Sequence, residues 1–277
     1  MCRWVGYLGG PIRPYELLFE PERSLIEQSR AHTPDLPLPN GDGTGLGWYA
    51  YRRTPALFRS AAPAWSDENL REIALEVETQ VFLAHVRAST GTPVQQTNCH
   101  PFRYDRWMMV HNGFVADLHL IRRELLMALD ERYFDNILGT TDSELLFHLA
   151  LTFGLRDDPL GGLERMAGFV ESVGRSKGIE MPLQMTVGVT DGEEMYSVRY
   201  ATSGEVNTLY VSEDVETIRL LYPEAERFDH LEHGARVVVS EPLGDLPGVW
   251  REVDPGTALH VTHQGVKVSD FRPQVPA

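Results

Sequence analysis

The chain has 277 residues, 42% of them apolar and 9% aromatic, enough to bury a substantial core without disulfide or metal staples. Lys and Arg number 25 against 40 Asp and Glu, a net charge of −15 that repels phosphate backbones and anionic lipid. Nucleic acid and membrane are therefore not expected partners, and a small molecule is. Two cysteines, Cys2 and Cys99, are too few for a disulfide framework or a metal cluster, and neither a spanning apolar run nor a signal-peptide pattern is evident, so a reducing, cytoplasmic setting is expected.

The first notable residue is Cys2, which opens the β-like run Cys2-Arg3-Trp4-Val5-Gly6-Tyr7-Leu8. With Met1 removed, this residue would carry both a thiol and a free α-amine, a nucleophile with a base built onto it. An early cysteine is also readily a small buried hydrophobe. Residues 31–47 are dense in Pro and Gly and read as a long shaped loop that delivers the chain into a strand around Trp48-Tyr49-Ala50-Tyr51.

In the run 81–87, period-2 alternation places Val81, Leu83, His85 and Arg87 on one face and Phe82, Ala84 and Val86 on the other. Arg87 ends an otherwise apolar face. Its guanidinium fork suits a carboxylate, and Ala88-Ser89-Thr90-Gly91 adds hydroxyl and backbone donors, with Thr90 a candidate contact. A structural ion pair at a strand end is the other reading of Arg87, and His85 reads as a core histidine. Cys99 and His100 lack metal-ligand partners at useful spacing and read as structural. Asn112-Gly113, closing the run from Trp107, is a turn signal first; the same pair could also present an amide and a glycine N–H to an oxyanion.

Helices are expected over 117–129, 141–153 and 160–173. Thr141-Asp142-Ser143-Glu144 has the form of a capping box, with Thr141 at the N-cap and Glu144 reaching back. Asp142 then sits in the first turn, where the helix dipole favours a carboxylate, and where it could also receive an ammonium group. Short alternating runs follow at 184–190, 195–200, 208–211, 236–240 and 258–262. Strands, a helical block and more strands, without βαβ alternation, imply an α+β fold on antiparallel sheets, with one domain over 1–277 and the stretch 155–181 as its sole plausible seam.

Together these motifs resemble the class II glutamine amidotransferases of the N-terminal-nucleophile hydrolase superfamily. The matches run in order: Met1-Cys2-Arg3, Asp42-Gly43 with Gly45-Leu46-Gly47-Trp48-Tyr49, His85-Val86-Arg87, Asn98 to Phe102, His111-Asn112-Gly113, and Gly139 with Thr141-Asp142-Ser143-Glu144. Pro63-Ala64-Trp65, Ser240-Glu241-Pro242-Leu243 and Trp250 look like its stand-alone branch, which includes the ergothioneine-pathway amidohydrolase. The resemblance implies a four-layer αββα sandwich and a γ-glutamyl thioester on Cys2. It further implies an oxyanion held by Asn112 and Gly113, a glutamyl carboxylate and amine held by Arg87 and Asp142, and no metal or cofactor. Members fused to a synthetase carry a tryptophan after the arginine and a histidine before the glycine; here Ala88 and Thr90 stand there, so the pocket beyond the glutamyl group differs. The expected function is hydrolysis of glutamine or a γ-glutamyl amide to glutamate. The alternatives are a glutaminase subunit that supplies ammonia to a separate synthetase, and a non-catalytic amino-acid-binding protein on the same fold.

Overall fold

The computed structural model describes residues 2–30, 39–89, 91–225 and 231–276. In chain order its strands are β1 (Arg3–Ile12), β2 (Thr44–Trp48), β3 (Ala56–Ser60), β4 (Thr79–Val86), β5 (Phe102–Tyr104), β6 (Trp107–Val115), β7 (Leu183–Thr190), β8 (Met195–Ala201), β9 (Tyr210–Ser212), β10 (Arg236–Val239), β11 (Trp250–Glu252), β12 (Thr257–Thr262) and β13 (Gly265–Asp270). The helices are α1 (Tyr15–Leu18), α2 (Leu25–Arg30), α3 (Glu68–Glu76), α4 (Leu118–Met127), α5 (Glu131–Phe134), α6 (Asp142–Thr152), α7 (Pro159–Ser176) and α8 (Val215–Leu221).

A seven-stranded sheet runs β11-β9-β10-β1-β4-β2-β3 and a six-stranded sheet runs β13-β12-β8-β7-β6-β5. Every neighbouring pair is antiparallel. Alternation along β4 sorts the layers as the sequence predicts. Val81 and Leu83 pack with Trp4, Met108, Val110 and Leu259 between the sheets. Phe82, Ala84 and Val86 face the other way, under Leu18 of α1, Leu25 and Ile26 of α2 and Leu70 of α3. On the far side of the second sheet, Met185, Val187 and Val189 of β7 pack against α4, α6 and α7. The result is an αββα sandwich, and both faces of β4 are apolar because both are covered.

Some local expectations shift. β2 ends at Trp48, and exposed Tyr51 lies in the turn beyond it, because Thr44 to Trp48 is the stretch that pairs with both β3 and β4. The first part of the Pro/Gly-rich loop, 31–38, lies outside the described residues. The three expected helices form as α4, α6 and α7, with α7 running on to Ser176. Among the described residues no helix is long and apolar enough to cross a membrane.

Trp4 ties the sheets together. It is fully buried, its Nε1 donates to Thr186 Oγ1 at 3.2 Å, and its backbone N–H donates to Ser240 Oγ at 2.9 Å. Gly188 leaves room for it, since a Cβ there would stand 2.9 Å from the indole ring. Gly45 is tighter still, with the His100 carbonyl oxygen 2.0 Å from where a Cβ would be. Overpacking against rigid backbone forces strands apart. The expected effect of Gly45→Ala is a loss of about 3 kcal/mol or misfolding, read from urea unfolding.

Three histidines are buried near the end of β4. His85 stacks on His100 with ring centroids 4.0 Å apart, and its Nε2 donates to the His111 carbonyl at 3.2 Å. His85 Nδ1 and both His100 ring nitrogens are buried without partners among the described residues. Burial therefore holds these rings neutral, with His85 lowered to about 3 and His100 and His111 also lowered. A histidine whose folded pKa is depressed stabilises the fold fully above its unfolded value near 6.5 and loses that contribution as pH falls toward the folded pKa. Each such ring should steepen acid destabilisation by about 1.4 kcal/mol per pH unit below about 6.5, checked by thermal midpoints between pH 7.5 and 5.

Candidate active site

Cys2 immediately precedes β1, and Arg3 is paired with Val86 at the end of β4. Its thiol lies close enough to Arg87 and Asp142 for both charges to act on it. The thiol is partly buried, with Sγ 3.5 Å from the Ala88 carbonyl oxygen. Burial raises its pKa; nearby Arg87 opposes that shift and Asp142 adds to it. The thiol therefore stays protonated near neutrality unless a base takes its proton.

Arg87 continues the inner face of β4 and is only 3% exposed. Its backbone N–H donates to Gly43 O at 2.8 Å. Its guanidinium donates to the carbonyls of Asp42 and Pro93, both at 3.2 Å, to Ser89 Oγ at 3.0 Å and to Thr92 Oγ1. All of these acceptors are uncharged. The Asp42 carboxylate instead accepts the Ser89 N–H at 2.7 Å. Among the described residues no carboxylate pairs with Arg87, so the structural ion pair, the other sequence reading, does not form with any of them. A buried cation without an anion is costly, and a carboxylate ligand would relieve it. Thr90 lies outside the described residues.

Asn112 and Gly113 do not form a turn. They continue β6 opposite Thr186 and Met185 of β7, because the strand finds a full-length partner and positive φ is not needed. Parity with Met108 and Val110 turns Asn112 to the inter-sheet side. A Cβ at Gly113 would fall 2.0 Å from the Gln184 carbonyl oxygen, so glycine is required by close approach rather than by a turn.

Asp142 opens α6. Its Oδ2 accepts the Val115 N–H at 2.9 Å, joining the helix to the end of β6, and Oδ1 accepts from Ser143 N at 2.7 Å and Ser143 Oγ at 3.1 Å. The carboxylate is thus fixed but only partly buried, and can still receive a cation. The capping box is half formed. Thr141 Oγ1 accepts from Glu144 N at 3.2 Å, while the Glu144 carboxylate reaches past the N-cap to accept from Leu138 N at 3.1 Å and Gly139 N at 2.7 Å. Asn98 holds the same segment, its Oδ1 accepting from Thr140 N at 2.8 Å. Cys99 is buried against Ser60 O, in keeping with a structural role.

One contact to Asn112 comes from a residue that no sequence pattern marks. Asn207, in the irregular stretch between β8 and β9, donates from Nδ2 to Asn112 Oδ1 at 3.2 Å. Among the described residues no group of three or more His, Cys, Asp or Glu side chains is disposed to hold a metal ion.

The chain is similar to several known proteins. Residues 30–158 match the family model for class-II glutamine amidotransferases. The probable glutamine amidotransferase DUG3 of Saccharomyces cerevisiae is 31% identical over 300 residues, spanning 96% of this chain and 83% of the yeast protein. A gamma-glutamyl-hercynylcysteine sulfoxide hydrolase of Mycobacterium tuberculosis is 35% identical over 117 residues, 42% of this chain and 50% of that enzyme. The structure of a glutamine aminotransferase class-II domain protein from Silicibacter pomeroyi superposes with a TM-score of 0.75 at 32% identity, covering 99% of this chain and 100% of the other. A Bacillus subtilis glutamine phosphoribosylpyrophosphate amidotransferase shares the fold alone, with a TM-score of 0.62 at 16% identity, 99% of this chain matching 50% of that one. The chain belongs to the class II glutamine amidotransferases.

Proposed function

We propose that residues 1–277 act as one glutamine amidotransferase type 2 domain that hydrolyses glutamine or a γ-glutamyl amide to glutamate. The observation that carries this reading is the buried Arg87 guanidinium, without a carboxylate among the described residues, beside a Cys2 thiol that faces the same space. In this reading Arg87 takes the α-carboxylate of the glutamyl group and Asp142 its ammonium, with Thr90 a further candidate contact from the sequence. That grip leaves the side-chain amide as the part of the substrate presented to sulfur.

Chemistry requires Cys2 to be the mature N-terminus. The raised thiol pKa makes a base necessary, and the α-amine of the same residue is within reach without any further side chain. As sulfur bonds to the amide carbon, the thiol proton passes to the α-amine and the carbonyl electrons move to oxygen. Asn112 Nδ2 and the Gly113 N–H stabilise that oxyanion. Collapse breaks the C–N bond, and the leaving nitrogen takes the proton from the α-ammonium. A γ-glutamyl thioester remains. Water, deprotonated by the α-amine, attacks the thioester and releases glutamate and the Cys2 thiol.

Cys2→Ala should abolish glutamate release from glutamine and from γ-glutamyl amines, and a form that keeps Met1 should be equally inactive. Undiminished turnover by either protein overturns the mechanism. Because the α-amine must be neutral to accept the thiol proton, kcat/KM should climb with pH through about 7.7–8.0 and level off above it. Comparison of glutamine with a panel of γ-glutamyl amines and peptides identifies the leaving amine. Glutamine turnover that stays slow until a second protein is added would instead mark an ammonia-supplying subunit of a two-chain synthetase.

A further inference from the structure

We infer that Asn207 is a positioning residue for the oxyanion pocket, orienting the Asn112 amide so that its Nδ2 faces the reacting carbonyl. The inference rests on Asn112 serving as an oxyanion donor in the reading above. A primary amide has two ends of nearly equal shape and opposite polarity, so a half-turn of the side chain replaces a donor with a lone pair. Asn112 is therefore useful to an oxyanion in one orientation and harmful in the other.

Nothing in β6 itself selects that orientation. The Asn112 backbone is held by the β6–β7 ladder, and its carbonyl accepts from Thr186 Oγ1 at 3.3 Å, but neither contact touches the amide. The one hydrogen bond to the amide among the described residues is from Asn207 Nδ2 to Oδ1. With Oδ1 so occupied, Asn112 Nδ2 has no partner among the described residues and keeps both N–H groups for an incoming oxygen.

Asn207 is itself held in place although it lies in no strand or helix. Four consecutive residues are tied to different elements. Glu205 O accepts from Gln184 Nε2 at 2.7 Å, on β7. Val206 O accepts from Arg199 Nη2 at 3.3 Å, on β8, and that buried guanidinium is anchored by Glu252 and by the Val253 carbonyl, both at 2.6 Å. Asn207 reaches Asn112, and Thr208 Oγ1 donates to Glu241 Oε1 at 2.6 Å, just beyond β10. The stretch carries the chain from the second sheet to the first, and its pinning holds one amide against Asn112. Asn207 touches no reacting atom in this scheme and acts only through Asn112.

The test uses the mature protein and two variants at this partly buried loop position. Aspartate at 207 offers only acceptors, so Asn207→Asp draws the Asn112 amide round and turns its oxygen on the oxyanion; Asn207→Ala leaves the amide free to rotate. Removing one oxyanion donor costs about 10²–10³ in kcat, so the expected falls are about 100-fold for Asn207→Asp and about tenfold for Asn207→Ala, with KM for glutamine changed less than about threefold. The aldehyde analogue of glutamine, glutamate γ-semialdehyde, adds to the thiol as a tetrahedral adduct and should bind more weakly in the same proportion, while glutamate binding stays level. A merely structural role would weaken both ligands together and lower the thermal midpoint. Asn207→Asp and Asn207→Ala each within twofold of the parent in kcat overturn the inference, as does a loss shared equally by aldehyde and glutamate. If Asn207→Asp does not fold, Asn207→Ala carries the test by the same criteria. A Cys2→Ala control separates the two claims: an active control rejects the underlying mechanism, whereas an inactive control with active Asn207 variants rejects only the positioning role.

Discussion

Burial of Trp4 between two facing sheets is the constraint on which the arrangement depends. The indole occupies the inter-sheet layer with Leu8, Leu83, Met108 and Val110, and its N–H reaches across to Thr186 on the opposite sheet. Two residues upstream, Cys2 immediately precedes β1, with its thiol within the electrostatic reach of Arg87 and Asp142. Thr186 in turn donates to the carbonyl of Asn112. One buried aromatic thereby sets the end of β1 against the strand that carries the proposed oxyanion donor. Charged or polar groups at that end of the sandwich are consequently drawn from both sheets rather than from one loop.

The electrostatics of this region follow from its depth. His85, His100 and His111 are pushed toward neutrality by desolvation, so the interior near the strand ends contributes little positive charge of its own. Arg87 cannot respond in that way, since a guanidinium does not lose its proton at accessible pH. At 3% exposure, its partners among the described residues are carbonyls and hydroxyls of the chain that wraps it. The same wrapping ties Asp42, Ser89, Thr92 and Pro93 to one guanidinium. Asp142 is fixed differently, by the first turn of α6 and the end of β6, with one side left open. A rigid cation and a rigid carboxylate, held by different layers, suit a ligand that carries both charges.

Much of this was legible along the chain because it depended on local period. Alternation in 81–87 foretold both faces of β4, including the placement of Arg87 beside the inner layer. Thr141 foretold the start of α6, although Glu144 reached Leu138 and Gly139 rather than the N-cap, drawn by two loop N–H groups that only the folded chain brings into range. Asn112-Gly113 was ambiguous for a physical reason. The pair tolerates positive φ, which local chemistry reads as a turn, and pairing with β7, about 70 residues later in the chain, overrode that preference. Asn207 had no signature at all, because its bond to Asn112 and the bonds that pin its neighbours Glu205, Val206 and Thr208 form only in the folded chain.

The order of the motifs, the cysteine at position 2 and the alternating strands were determined by the sequence itself, since they rest on residue type and on spacing of a few positions. Whether Arg87 found a carboxylate, which way Asn112 faced and what holds its amide were decided only by tertiary structure. Those answers depend on which strands meet across the sandwich, and such contacts join residues separated by tens to hundreds of positions, where no local periodicity carries information.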